Sequence, residues 1–210
     1  MLGNDVVDLA DAETLVSALH PRFDARVFTA AERDAIAQST SANELRWSFW
    51  AAKESAYKLM RKIDCKVIFS PQKFCVHLDA WGAGTVTFVE QLFSVQVSRV
   101  DFALHAVCTL KNDTHYAWIS KVAEIEALKA VNETQLSPSD AVRRLAMQEV
   151  AKVQDWDLTQ LSVEKNSARI PGFCYAQERL AASLSLAHHG RYVAFACALP
   201  SRALEHGRAA

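Results

Sequence analysis

The sequence has no apolar stretch near the roughly 20 residues that a bilayer-crossing helix needs. No basic segment followed by an apolar run resembles a secretory leader. A cytoplasmic location is the expectation that follows. Glycine and proline are scarce, six and five among 210 residues, and nowhere do they gather into a linker. The five cysteines (Cys65, Cys75, Cys108, Cys174 and Cys197) are odd in number, scattered, and form no C-x-x-C pair. That spacing argues against a zinc site and against a disulfide framework, leaving reduced and mostly buried thiols. Neither sign of charge dominates, with 23 Lys and Arg against 24 Asp and Glu. A net charge of -1 gives no global field toward nucleic acid or anionic lipid, so charge-guided recognition must come from local patches.

What is present suits a folded protein: half the residues are hydrophobic and 22% are charged, in a chain long enough for one large domain or two half-size lobes. Residues 2–9 read as a strand, and "HPRFDARVFTAAERDAIAQS" as a turn followed by a short helix. "SANELRWSFWAAKESAYKLMRK" is the strongest helix, with Ser41 and Glu44 spaced as a capping box and Lys58, Arg61 and Lys62 suiting its C-terminal dipole. Antiparallel strands are expected from "KVIFSPQKFCVHLD" to "VDFALHAVCTL", ending at "KNDT". The pattern then restarts: a strand in "HYAWISKVAEI", a helix in "SPSDAVRRLAMQEVAKVQ", and "LSVEKN", "ASLSLAHH" and "RYVAFACAL" as another small sheet. "SRALEHGRAA" is expected to be loose. Helices and strands mix without βαβ alternation. The expected class is therefore α+β, with two pseudo-symmetric lobes, 1–112 and 113–210, each a small antiparallel sheet packed with a long helix.

Two stretches carry the chemistry. In "GNDVVDL", residues 3–9, the period of a strand sends Asp5 to the same side as Val7 and Leu9, where a carboxylate needs a cation. In "WAAKESAYK", residues 50–58, Glu54 and Lys58 share a helical face one turn apart. Alone that pair reads as a solvated salt bridge worth about 0.2–0.5 kcal/mol. The bulk of Trp47, Phe49, Trp50 and Tyr57 around it argues that Glu54 is partly enclosed. If Asp5 and Glu54 meet, two carboxylates near an apolar surface require a joining cation. Hard oxygen ligands without a His or Cys cluster point to Mg2+, which takes one or two carboxylates plus substrate phosphates. Lys58 then stands one turn away to neutralise a phosphate.

These residues resemble the 4'-phosphopantetheinyl transferase family. Gly3, Asp5 and Val6 match its early G-[IV]-D-[IV]-E element. Phe28, Thr29 and Glu32 in "RVFTAAE" match its F-T-x-x-E, and Trp50, Lys53, Glu54, Ser55 and Lys58 match its W-x-x-K-E-[AS]-x-x-K. "SLSLAHHGRYVAFACA" is similar to the family's L-S-H-S-G segment, with Ala187 on the serine, His188 on the histidine and Gly190 on the glycine. "SARIPGF" is a weaker likeness of G-K-P, with Arg169 as the candidate basic residue; the helix from Pro138 offers Arg143 or Arg144. The order of the halves is reversed relative to the two-lobed, surfactin-synthetase-activating type. Three departures stand out: Val7 replaces a third acidic position, Ala187 replaces a serine, and "KLMRKIDCK" lacks the glycine that often follows the motif lysine.

The resemblance implies transfer of the phosphopantetheine arm of coenzyme A to a serine of an acyl or peptidyl carrier protein. Mg2+ would be held by Asp5 and Glu54, with Glu54 and Lys58 catalytic. Glu54, or a water it orients, would take the serine proton. His188, Arg169, Arg144 and Lys53 would bind coenzyme A, although a structural role for Lys53 is equally open. The cluster Arg61, Lys62 and Lys66 is the best local patch for docking an acidic carrier. With both lobes in one chain a monomer suffices, and neither nucleic acid nor a membrane is an expected partner. Val7 and Ala187 keep a second reading open, a non-catalytic relative that binds coenzyme A or serves as a scaffold.

Overall fold

The strand expected near the start forms as β1 (Leu2–Asp8), and it is buried along its whole length. The computed structural model describes residues 1–110 and 116–200. After β1 come α1 (Phe23–Val27), α2 (Ala30–Gln38) and the 22-residue α3 (Ala42–Ile63). An antiparallel meander follows: β2 (Phe74–Leu78), β3 (Ala83–Phe88), β4 (Gln91–Val100) and β5 (Ala103–Leu110). The remaining elements are β6 (Tyr116–Glu124), α4 (Pro138–Gln154), β7 (Leu161–Lys165), β8 (Pro171–Tyr175), β9 (Glu178–Arg179), β10 (Ser183–His189) and β11 (Tyr192–Pro200). The fold is α+β with antiparallel sheets. One sheet runs β1-β5-β4-β3-β2, a second β10-β11-β6, and a third β7-β8-β9.

The two halves differ in build, with five strands on α3 in one and two three-stranded sheets around α4 in the other. "LSVEKN" does not join β10 and β11 as expected. It pairs instead with β8, a strand hidden in the sequence because Pro171 opens it. The expected strand end at "KNDT", the boundary at 112/113 and the tail "SRALEHGRAA" lie outside the described residues.

β1 is the piece on which both halves meet. Its odd residues face α3 and its even residues face the second sheet, where Val6 packs with Ala187, Tyr192 and Ala194, and Leu2 with Ala196 and Ala198. Gly3 lies against the α3 backbone: a Cβ there would sit 2.1 Å from the Ser55 carbonyl oxygen. No side chain fits that gap, so the glycine lets strand and helix touch. On its free edge β1 runs parallel to β10, at a constant offset of 181 residues, without a backbone ladder. Side chains take its N–H groups: those of Leu2, Asn4 and Asp8 donate to Ser183 Oγ, Ser185 Oγ and His189 Nδ1 at 2.9–3.1 Å. Asp8, 1% exposed, accepts both guanidinium bonds of Arg191 and so ties β1 to the β10–β11 turn.

The cap expected on α3 is absent, because Ser41 makes no side-chain capping bond and Glu44 pairs with Arg99 at 2.6 Å instead. The reciprocal capping box belongs to α2, between Thr29 and Glu32. Glu32 also meets Lys53, which is fully buried. The Lys53 ammonium donates to Glu32 Oε1 at 2.9 Å and to the carbonyls of Pro71 and Phe74 at 3.1 and 2.6 Å. Glu32 Oε1 takes in addition the Val76 N–H at 2.8 Å. One enclosed ion pair thus joins α2, α3 and β2, and it fixes the roll of the helix that carries Glu54. Removing one member strands the other charge in the core. Glu32→Gln should destabilise the protein by about 3–5 kcal/mol, read as a lower midpoint in urea unfolding with an unchanged slope.

Candidate functional site

Lys58, whose spacing placed it beside Glu54 and whose expected role was to neutralise a phosphate, pairs with Asp5: its Nζ donates to Asp5 Oδ1 at 2.7 Å. Glu54 sits one turn earlier on α3, partly enclosed as its bulky neighbours implied. Most aromatic residues of α3 pack as core, with Trp47 and Trp50 against Phe23, while Tyr57, against Phe69, also lines the adjoining cleft. Among the described residues Glu54 makes neither a hydrogen bond nor an ion pair. Burial pushes its carboxyl up to about 7, the nearby Asp5 charge adds to that, and Lys58 partly offsets it. Two carboxylates thus face one another with only a single ammonium between them.

That donor set fits a hard divalent cation. A second positive charge would relieve the orphaned Glu54 carboxylate, and oxygen ligands without thiol or imidazole suit magnesium. No group of three or more His, Cys, Asp or Glu side chains gathers among the described residues, so two protein carboxylates is the full acidic set. Val7, at the third acidic position of the motif, is 2% exposed and packed in the first core. Asp8 points away, as strand alternation predicts, and is committed to Arg191.

Beside these residues a cleft of about 320 Å³ separates α3 from α4, β8 and β10. Lys58, Arg61, Lys62, Arg143, Lys165 and Arg169 line it, no acidic residue does, and the adjoining wall includes His188. Such a lining is chemically suited to phosphate groups. The i, i+3, i+4 spacing of Lys58, Arg61 and Lys62 was the sequence sign of one cationic helix face. Lys165 left no such sign.

His188 and His189 divide as neighbours in a strand must. His188 enters the cleft, where burial and then the Lys58 charge hold its imidazole below the usual histidine range. His189 turns to the seam and accepts the Asp8 N–H. Arg169 lines the cleft from a turn, at a left-handed φ of 62°. Two expectations need correction. Arg144 does not line the cleft; it is bound to Glu133 at 2.6 and 3.0 Å and to the Leu128 carbonyl at 2.7 Å. Its neighbour Arg143, about 100° around the helix, is the residue that faces inward. Lys53 likewise cannot reach a cofactor, being sealed against Glu32.

The raised Glu54 carboxyl has a testable sign. A carboxyl whose folded value exceeds its unfolded one withdraws stability as pH rises from the ordinary 4.5 to about 7, and the loss is complete above that. In a chelator-containing buffer, Glu54→Gln should therefore raise the melting temperature above pH 7 by a few degrees, from about 1–2 kcal/mol after allowing for partial exposure. Below pH 4.5 the difference should vanish, as a scanning-fluorimetry pH series would reveal.

Comparison with known proteins completes the picture. No curated protein matches the chain. A family model described as the 4'-phosphopantetheinyl transferase superfamily matches residues 1–118. The matched segment holds Asp5, Glu32, Lys53, Glu54 and Lys58 and ends before the likeness around His188, which rests on the sequence alone. With more than half of its length inside that match, the chain belongs to the 4'-phosphopantetheinyl transferase superfamily.

Proposed function

We propose that the protein moves the phosphopantetheine arm of coenzyme A to a serine hydroxyl on an acyl or peptidyl carrier protein, with magnesium as cofactor. The observation that carries this reading is the meeting of Asp5, Glu54 and Lys58 at the edge of a cleft lined by cations and free of carboxylates. Asp5 and Glu54 are the residues that would hold the metal. A bound Mg2+ would neutralise diphosphate charge and act as a Lewis acid on the phosphoryl oxygens.

The chain's own groups account for the rest. Arg143, Arg169 and Lys165 provide fixed positive charge for the nucleotide phosphates of coenzyme A, and His188 adds a hydrogen-bonding group to the same wall. Lys58 is ion-paired to Asp5 at 2.7 Å in the protein alone. With Asp5 holding a metal, the Lys58 ammonium would be available to offset charge growing on the bridging phosphate oxygen. Glu54 is the proton acceptor of the site. It takes the hydroxyl proton, directly or through one water, as the serine oxygen attacks phosphorus and 3',5'-ADP departs.

Incubation with coenzyme A, Mg2+ and a panel of apo carrier proteins, followed by intact-mass spectrometry, tests this. At least one carrier should gain one phosphopantetheinyl arm. Asp5→Ala and Glu54→Gln should each lower the rate by about 10²-fold or more, with the fold intact by circular dichroism. No gain on any carrier, despite measurable coenzyme A binding, would leave the protein a non-catalytic member of its superfamily.

A further inference from the structure

Lys62 is placed unlike the other cations of the cleft. It lines both this cleft and an adjoining cavity, each of about 320 Å³, the two sharing Ile170, Pro171 and Leu184 as a common wall. Its amine donates to the Leu2 carbonyl at 2.6 Å and to Ser183 Oγ at 3.1 Å, both neutral acceptors. Among the described residues no carboxylate pairs with it. Two donors are what a neutral amine possesses, which leaves its lone pair unused and free to face the cavities.

The charges around it act in the same direction. Lys58 and Arg61 come from α3, Arg143 from α4, and Lys165, Arg169 and Arg179 from β7, the turn before β8 and β9, with His188 on β10. Of the other titratable neighbours among the described residues, the Met1 α-amine and the Tyr57 phenol line the same cavities, and the Cys197 thiol on β11 is pushed by burial up to about 12, so it is uncharged at neutral pH. Burial is the main cause that brings the Lys62 amine down to about 7, and the Lys58 charge adds a smaller lowering.

We propose that Lys62 is a covalent modification site for acyl phosphates. Its nitrogen attacks the carbonyl carbon, the C–O bond to phosphate breaks, inorganic phosphate leaves with that electron pair, and the nitrogen's surplus proton passes to water, giving an amide. The surrounding cations recruit the phosphate of the reagent and stabilise it as leaving group. The amide keeps a single N–H, so one of Leu2 O and Ser183 Oγ loses its donor, and the acyl group occupies space in the cleft. This inference stands on the chemistry of the cavity walls and does not rest on the transfer reaction.

The test uses the intact protein with acetyl phosphate and reads site occupancy by peptide mass spectrometry. At pH 7, Lys62 should be acetylated at least about tenfold faster than the exposed Lys66, Lys73 and Lys152, because an ordinary lysine with a value of 10.5 is almost wholly protonated there. Its rate should level off above about pH 8, while theirs climb toward pH 10. Inorganic diphosphate should suppress labelling at Lys62 and leave the others unchanged. Equal rates at all four lysines, a rate at Lys62 that keeps climbing, or labelling indifferent to diphosphate would each overturn the proposal.

Discussion

The contact on which the structure depends is the seating of β1 directly on the backbone of α3. It is made at Gly3, where a single added carbon would fall 2.1 Å from the Ser55 oxygen. That approach brings the next inward residue of the strand, Asp5, to the helix one turn from Glu54 and against Lys58. The two carboxylates and the ammonium are thus fixed by main-chain packing rather than by long side chains searching for one another. The Lys53–Glu32 pair then sets the rotation of α3 about its axis. Side chains on the same helix therefore divide the work, with Lys53 holding the core while Glu54 and Lys58 face the other way.

Much of this was readable from the chain because the motif residues obey local periods. Alternation along β1 separates Asp5 from Asp8, and the helical turn joins Glu54 to Lys58. Neighbouring strand residues part His188 from His189. Where the reading failed, the deciding partner lay far away in sequence. Ser41 and Glu44 have the spacing of a cap, yet Arg99 claims Glu44. Arg144 is as suitable a phosphate ligand as Arg143 until Glu133 is seen to hold it. β8, the middle strand of its sheet, escaped notice because its proline reads as a strand breaker, although the first residue of a strand tolerates one. Lys53 has the charge for a cofactor contact, and only its enclosure by α2 and β2 excludes one.

The electrostatics of the site are those of incomplete neutralisation. Asp5 and Glu54 share one ammonium, and Glu54 answers by holding its proton toward neutral pH. Across the cleft the imbalance has the opposite sign, with cations and no carboxylate. A substrate that carries several phosphates, together with a divalent ion, satisfies both sides at once. Neither alone would, which is a physical reason for membership of this superfamily to go with such a paired deficit.

The seam between β1 and β10 has a consequence of its own. Serine hydroxyls and an imidazole bridge it, and no main-chain ladder crosses it. A joint of this kind is indifferent to which half is synthesised first, since reconnecting the halves in the other order leaves every ladder within each sheet whole. Circular permutation of the architecture is therefore inexpensive, requiring no redesign of either core.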